Sequence, residues 1–381
     1  MEVNIKTLTP LWTGGVETGK CDRIHETGIL GSLRWWMEVL VRGRGGDACD
    51  PTKQKCSYKN GLCEVCKIFG AEGQKRRFRL EVQEVQISDA VIQHPIQANR
   101  SYTNNQGKSK TPTWYFPDPT QKDVRPLPPN TPKIGTFILK IQSLNPDFKP
   151  EIIGGLIQFM AEWSALGARP QMGFGVIQVE GSRIDTQPLC NWLKAIKSEY
   201  KYPELPSLQN IFLAQIQPKE SNSSFKEQDT FNLKYDLRQL FRTEESKTTQ
   251  TRIQNQGGRK DLILKKDRKD NNVTESNDNK DLRHFIMGTV EDDRMAAKIK
   301  ISRAYDNDKL MRVWGWVPEA AAVYNNDWDR GRIVDKIYQH LIANYTLHDW
   351  REMNSERDTV TANQADVQAF LRSLLQLQED S

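Results

Sequence analysis

Four cysteines in one short segment are the residues of this chain that point most directly to chemistry. Cys49, Cys56, Cys63 and Cys66 follow the pattern C-x6-C-x6-C-x2-C, and the whole chain has 6 cysteines. Four thiolates can close a tetrahedral Zn²⁺ site and fold a segment that has too few apolar residues for its own core. The pattern predicts a structural zinc site in an insertion at 43–76, with ordinary free cysteines as the alternative.

A glycine-rich stretch at 166–175, LGARPQMGFG, is the second motif that could carry chemistry. Small residues let a backbone approach a partner closely, and the guanidinium of Arg169 has the planar geometry that suits a phosphate. Glycines also simply close tight turns, so this motif alone does not decide between the two interpretations.

The elements of the first half place this loop between a helix and a strand. Strands are predicted where apolar residues alternate, and helices where they recur every three or four residues. Gly167 is placed to end the second helix. The order is strand, helix, strand, strand, helix, strand, which is the ferredoxin-like or RRM arrangement. The predicted ranges are 3–8, 27–42, 77–87, 136–143, 151–166 and 176–179.

The second half repeats this opening with less regularity. A mixed-charge stretch at 243–282 has few apolar residues and is predicted to be a mobile insertion. We find no convincing closing strand, and an amphipathic helix near the C-terminus replaces it. The prediction is an α+β fold of two tandem ferredoxin-like domains, at 1–186 and 187–381. The elements predicted after residue 186 are strands at 211–217, 297–302 and 311–317, and helices at 231–241, 333–341 and 367–375.

The composition permits a nucleic-acid partner without requiring one. The 381 residues include 54 Lys and Arg against 49 Asp and Glu, a formal net charge of +5. No apolar run approaches the roughly 18 residues of a membrane helix, and no signal sequence is visible, so we expect a cytosolic protein without membrane contact.

Three motifs together resemble the RAMP superfamily of CRISPR proteins. They are LTPLWTGG at 8–15, GILGSLRWW at 28–36 and the glycine-rich loop, and the resemblance covers roughly the first 180 residues. Weaker similarity continues at 283–288 and 296–299. Within the superfamily, the chain resembles the subunits that come first in the numbering of the type III-B Cmr complex.

The resemblance implies a non-catalytic subunit of a ribonucleoprotein in antiviral defence. Such a subunit holds the 3′ portion of the guide RNA beside other RAMP subunits, while a different subunit cuts the target RNA. Whether this chain also contacts target RNA is left open.

Cations and flat side chains are what single-stranded RNA requires of a protein surface. Trp36 fits the apolar stripe of the first helix and is predicted to be core, whereas Trp35 lies off it. The run 75–77 directly follows the predicted zinc segment, although such a run is often just a solvated face. The predicted RNA-binding residues are Arg34, Trp35, Arg42, Arg44, Lys75, Arg76, Arg77, Gly167, Ala168, Arg169, Gly173, Phe174 and Gly175.

Two other function classes compete with RNA holding. The chain could be a metal-independent endoribonuclease that uses His25 as general acid or base, although only Asp22 and Glu26 lie near it as partners. It could also be a protein-only adaptor, which a salt series of RNA-binding measurements would distinguish.

Overall fold

Two four-stranded antiparallel sheets organise the chain in this computed structural model. The first, sheet I, has the strand order β2 (Phe78–Asp89), β7 (Lys133–Ser143), β1 (Glu2–Thr7) and β8 (Ile177–Val179). The second, sheet II, has the order β10 (Ile299–Ile301), β11 (Met311–Trp316), β9 (Ile211–Pro218) and β12 (Tyr345–Arg351). None of the described helices is both long and apolar enough to cross a membrane. The structure describes residues 1–16, 21–50, 56–90, 92, 96–103, 106–114, 131–196, 203–241, 276–289, 295–319 and 328–377.

Sheet I and four helices form the first half of the molecule. Between β2 and β7, four two-residue strands pair as β3 with β6 and β4 with β5. In chain order the elements are β1 (Glu2–Thr7), α1 (Glu26–Gly43), α2 (Glu64–Phe69), β2 (Phe78–Asp89), β3 (Ile96–Gln97), β4 (Tyr102–Thr103), β5 (Ser109–Lys110), β6 (Thr113–Trp114), β7 (Lys133–Ser143), α3 (Glu151–Trp163), β8 (Ile177–Val179) and α4 (Gln187–Lys194).

Sheet II and four helices form the second half. Its strands appear in the sheet in the same relative order as those of sheet I, so the two halves share a topology. The elements are β9 (Ile211–Pro218), α5 (Asp229–Leu240), α6 (Ser276–Met287), β10 (Ile299–Ile301), β11 (Met311–Trp316), α7 (Arg330–Asn344), β12 (Tyr345–Arg351) and α8 (Val367–Leu374).

Sheet I packs against helices on one face and leaves the other open. In β1, Val3, Ile5 and Thr7 are buried while the residues between them are exposed, as a period of two requires. Helix α3 is buried on nearly every side, from Ile152 to Trp163. A helix that is apolar all round must lie inside the protein. Helix α3 therefore lies between sheet I and a second layer, which sheet II provides.

Sheet II is buried on both faces. Along β9, Ile211 and Leu213 join the core shared with the first half, whereas Phe212 and Ala214 join a second core with α5, α6 and α7. This double burial explains why β9 reads as an almost continuous apolar run. The molecule is therefore layered as sheet I, helices, sheet II and helices.

A buried arginine joins the two halves at the C-terminal end of α3. Arg312 of β11 is 5% exposed, and its guanidinium donates to the carbonyl oxygens of Ala161 at 2.6 Å and Ser164 at 2.8 Å. Its Nε donates to the Tyr305 hydroxyl at 3.1 Å. The last turn of α3 has no basic residue of its own. Arg312 thus satisfies helix-end carbonyls that would otherwise be buried without a partner, and its charge complements the helix dipole.

The C-terminal helix α8 packs against the first half as well as the second. Its Phe370, Leu371 and Leu374 belong to the core shared with α1 and α3, and Trp163 donates through Nε1 to the carbonyl of Leu374 at 3.0 Å. Helix α4 joins the same core through Leu189, Cys190 and Leu193. The predicted boundary after residue 186 thus falls inside one continuous core.

Two predictions about the elements are wrong, each for a local physical reason. Helix α3 ends at Trp163 because Ser164 leaves the helical conformation, although the apolar pattern continues through buried Ala165 and Leu166. Sheet II does have a closing strand, β12, which pairs antiparallel with β9. It follows α7 without a turn, and a bulge after Leu347 breaks its alternation.

The mobile insertion predicted at 243–282 falls mostly on residues 242–275, which lie outside the described residues, so its mobility stays a prediction. The end of the predicted range belongs to α6. The side chain of Leu282 is buried in the second core.

Replacing Arg312 with Met should lower the free energy of unfolding by about 3 kcal/mol, because several buried carbonyls lose a charged donor. Urea denaturation measures the change. The control is Arg79→Ala in β2, since Arg79 forms an exposed pair with Glu81 and such pairs contribute about 0 to 1 kcal/mol. Equal effects of the two substitutions would contradict the assigned role of Arg312.

Candidate functional site

The four predicted cysteines meet in one cluster. The Sγ atoms of Cys49, Cys56, Cys63 and Cys66 all lie within 4.8 Å of one another, and those of Cys49 and Cys66 are 3.6 Å apart. Tetrahedral zinc with four thiolates places its sulfurs about 3.8 Å apart. The sulfurs are therefore close enough to hold a metal ion, as the spacing predicts.

Local structure explains how the sequence brings these sulfurs together. Cys49 comes shortly after α1, while Cys63 caps the N-terminus of α2 and Cys66 lies in its first turn. The Sγ of Cys63 accepts from the amide of Cys66 at 3.4 Å. The C-x2-C pair is thus built on a helix N-terminus, where amide donors favour a thiolate.

The cluster contains one thiol that ionises easily and others that resist ionisation. A hydrogen bond from Cys66 lowers the pKa of Cys63 to about 5, whereas burial and the neighbouring Cys63 raise the pKa of Cys49 to about 12. The bond to Cys63 and burial also raise the pKa of Cys66. Four thiolates this close together require a cation among them.

Arg34 and Arg42 tie the cysteine segment to α1. Arg34 donates to the Sγ of Cys66 at 3.0 Å and to the carbonyl of Gly70 at 3.1 Å. Arg42 is 6% exposed and donates to the carbonyls of Ala48 and Cys49.

Glu38 accepts from both arginines and joins them into one network. The guanidinium of Arg42 is buried and donates to carbonyls of the cysteine segment, so the predicted RNA contact of Arg42 has no support in this arrangement and stays a prediction. Arg34 likewise stabilises the cysteine segment through its contacts with Cys66 and Gly70.

The amides of the glycine-rich loop are engaged inside the protein. The N–H of Gly167 donates to the Ser32 hydroxyl, that of Ala168 to the Trp12 carbonyl and that of Gly175 to the Pro10 carbonyl. These amides therefore cannot also cradle a phosphate.

The glycines instead allow segments of the protein to approach one another. A Cβ at Gly175 would lie 2.1 Å from the Leu166 carbonyl oxygen, and one at Gly173 would lie 2.6 Å from the Arg303 amide nitrogen of the second half. Both glycines have positive φ. The small size of these glycines therefore allows other segments of the same chain to pack closely against the loop.

Arg169 and Phe174 of the glycine-rich loop differ in their exposure to solvent. Phe174 is fully buried and offers no free face for stacking on a base in this arrangement, and its predicted RNA contact stays a prediction. Arg169 is half-buried with its guanidinium carbon 3.9 Å from the ring centroid of Trp12. That cation–π contact fixes a cation at the loop. Any phosphate contact of this loop falls to the Arg169 side chain.

The remaining predicted contacts lie in accessible positions. Trp35 is half-buried, while Trp36 is core, as the helical stripe indicates. Lys75 and Arg76 are exposed; Arg77 and Arg44 are half-buried. Their RNA contacts stay predictions.

Three lysines of the second half escaped the sequence analysis. Lys298, Lys300 and Lys234 lie where β10 and α5 approach the glycine-rich loop, and Lys234 donates to the Gln171 carbonyl at 3.3 Å. The sequence feature that could have indicated these residues is the alternation KIKI at 298–301, which places Lys298 and Lys300 on the same face of an extended segment. Nothing in the sequence indicates that this face meets the first half.

His25 has one acidic partner. Its Nε2 lies 2.7 Å from Oδ1 of Asp22, and this hydrogen bond lowers the pKa of Asp22. The other nearby acid, Glu26, lies 3.4 Å from the guanidinium of Arg23 and from the amide of Val82. Among the described residues, His25 therefore has one neighbouring carboxylate, that of Asp22, with which it could share a proton.

Comparison with known proteins finds a family match within the first half. Residues 4–178 match the sequence model of the RAMP superfamily, a range from β1 into β8 that contains the glycine-rich loop and the cysteine cluster. This part of the chain is similar to the RAMP superfamily. No curated protein matches the sequence significantly.

Solved structures with a similar chain include Cmr1 from Pyrococcus furiosus and two structures of the type III-B Cmr-beta complex. The apo crystal structure of Cmr1 from Pyrococcus furiosus is 14% identical with a TM-score of 0.42, over 91% of this chain and 97% of that one. A chain of Cmr-beta bound to cognate target RNA and AMPPnP is 11% identical with a TM-score of 0.41, over 90% of this chain and 99% of that one. A chain of a second Cmr-beta structure, bound to cognate target RNA, is 11% identical with a TM-score of 0.41, over 89% of this chain and 99% of that one.

The cysteine cluster predicts one metal ion per chain. Cys63→Ser should abolish metal binding, because four sulfurs are needed to close the site. Cys190→Ser, which alters a buried cysteine outside the cluster, should retain the ion. Elemental analysis of the purified proteins decides between these outcomes, and a metal-free wild type would refute the site.

Proposed function

We propose that this chain is a non-catalytic RNA-holding subunit of a type III CRISPR effector complex. The observation that carries the proposal is the RAMP-superfamily match over residues 4–178. We further propose that it holds the 3′ portion of the guide RNA beside other RAMP subunits in antiviral defence. Contact with target RNA remains an open part of this proposal.

Two tandem ferredoxin-like domains are the architecture we propose. Each half has strands and helices in the order strand, helix, strand, strand, helix, strand among its main elements, and both sheets share one strand order. We keep the proposed ranges 1–186 and 187–381. Helices α4 and α8 then belong by sequence to the second domain, although both pack on the first.

Zinc is the ion we propose for the cysteine cluster. Thiolates are soft ligands, and a set of four without a carboxylate or imidazole is typical of structural zinc. Arg34, hydrogen-bonded to the Cys66 sulfur, would offset part of the negative charge of such a site. The ion would fix the segment between α1 and β2 and would perform no chemistry.

Accessible cations at the glycine-rich loop and near α2 support RNA binding. Arg169 is held on Trp12, and the exposed Lys75 and Arg76 follow the cysteine segment. Cations on fixed supports bind a phosphate backbone without sequence preference. These side chains, and not the loop amides, are the phosphate contacts we propose.

Arg169→Ala should weaken the binding of single-stranded RNA by about 1 to 3 kcal/mol, the usual loss for a charged contact. Fluorescence anisotropy across a salt series measures the affinity, which should fall steeply as salt rises. Arg79→Ala, on the exposed edge strand β2, is the matched control and should bind as wild type. Equal affinities for the two variants would remove the loop from the RNA interface.

Endoribonuclease activity is the second candidate, and the contact between His25 and Asp22 favours it. Metal-independent cleavage requires an acid and a base at the 2′-hydroxyl and the leaving oxygen. We expect no cleavage by the purified wild type in the presence of a chelator. Cleavage that disappears in His25→Ala and persists in His348→Ala, an exposed histidine paired with Asp349, would establish the enzyme instead.

A further inference from the structure

Three lysines line the place where sheet II meets the first half. Lys298 and Lys300 lie two residues apart on one face of the β10 segment, with Cα atoms about 7 Å apart. Lys234 of α5 reaches the glycine-rich loop at the Gln171 carbonyl. Lys298 is 8% exposed, whereas Lys300 and Lys234 are half-buried. We call these three residues the lysine row.

The lysine row is not neutralised by acids. The ammonium of Lys298 donates to the Phe285 carbonyl at 2.9 Å, and that of Lys300 donates to the Lys298 carbonyl at 3.2 Å. Across the described ranges, none of the three ammonium groups forms an ion pair with a carboxylate. Their partners are neutral carbonyls, which offset only part of the cost of burying a charge.

The charged groups around the row are also cations. Lys300 is next to Lys234 and Lys298, and Lys234 is next to Arg238 of its own helix. The following basic residue, Arg303, is paired with Glu227, 3.0 Å away. Burial is the main cause that lowers the pKa of Lys298 to about 7 and those of Lys234 and Lys300 to about 8. The charges of Lys300, Arg238 and Lys234, respectively, add to the effect on these three residues.

Flat side chains lie beside the row. The ammonium of Lys298 is 3.4 Å from the ring centroid of Phe285 and 5.5 Å from that of Trp316, and Lys300 is 6.0 Å from that of Trp35. Trp35 is half-buried, so part of its surface is accessible. Cations beside aromatic rings suit a single-stranded nucleic acid, which presents phosphates and bases together. An acidic peptide presents no bases, so it would leave the rings unused.

We infer that the phosphates of the RNA strand occupy the lysine row, between the two halves, and that binding draws protons onto these lysines. This inference rests on the proposed function and names the site within it. A phosphodiester beside each ammonium supplies the missing negative charge, so the bound state holds the protonated form. The strand would then pass from Arg169 on the first half to β10 on the second.

The sign of the pH dependence follows from this linkage. RNA binding raises the pKa of each lysine back toward its ordinary value, so the bound protein carries more protons than the free protein. The affinity is then complete only below about pH 6, under the lowest of these pKa values, and decreases as the pH rises toward 9. For a lysine with a pKa of about 8, the decrease between pH 7 and pH 9 is about tenfold.

The test compares lysine with arginine at the same positions. Arginine keeps its charge throughout this pH range. Anisotropy with a fluorescent oligocytidylate, whose bases do not titrate here, is measured from pH 6.5 to 9 at constant ionic strength. Wild type should lose about three to four orders of magnitude in affinity, roughly tenfold from each lysine with a pKa of about 8 and nearly a hundredfold from Lys298, whose pKa is about 7. K234R/K298R/K300R should change little.

Two further variants keep the test interpretable. The single variant K300R serves if the triple variant folds poorly. It should reduce the pH-dependent loss of RNA affinity by about tenfold. Lys6→Arg, on the exposed side of β1, should keep the pH dependence of wild type. Circular dichroism of each variant checks its folding.

The possible failures are separable. A wild type that binds no RNA at any pH refutes the proposed function. RNA binding whose pH dependence persists in the arginine variants refutes the lysine row alone. If oligoglutamate of equal charge displaces the RNA as well as unlabelled oligocytidylate does, the row is a general polyanion site and the RNA assignment is wrong.

Discussion

The requirement to satisfy the buried guanidinium of Arg312 determines how the two halves of this protein meet. A buried cation without partners would cost several kcal/mol, and α3 ends where its last carbonyls can accept from that cation. The nearby amide of Gln215 donates to the Glu162 carbonyl and reinforces the same junction. With α3 and sheet II held together in this way, the glycine-rich loop lies against the end of β10, where there is no room for a side chain at Gly173. The lysine row exists only because of that approach.

The cysteine cluster is connected to this junction through charged side chains. Arg34 contacts a cluster sulfur, Glu38 accepts from Arg34 and Arg42, and Arg42 reaches the Pro206 carbonyl ahead of β9. A metal ion would therefore stabilise more than its own loop. It would hold the C-terminal part of α1 against the segment that leads into the second half, which is the part of the molecule that positions Trp35 beside Lys300.

Local patterns predicted the elements well, and long-range packing explains the errors. Alternation and helical periodicity placed β1, α1 and the C-x2-C pair because each depends on neighbours in sequence. The sequence does not show that amides of the glycine-rich loop find partners far along the chain, at Pro10, Trp12 and Ser32. Arg42 and Phe174 looked accessible because the sequence does not show that Arg42 donates into the cysteine segment or that Phe174 joins a buried cluster with Trp12 and Phe231. The lysine row could not be predicted for the same reason.

Helix α8 has a consequence for synthesis of the protein. It supplies Phe370, Leu371 and Leu374 to the core of the first half, and Thr186 and Arg183 donate to the carbonyl of Leu375 just after it. The first half emerges from the ribosome long before these residues do, with an apolar surface still uncovered. Its final packing must therefore wait until α8 has been synthesised. A chain truncated before α8 would leave that surface open to chaperones and proteases.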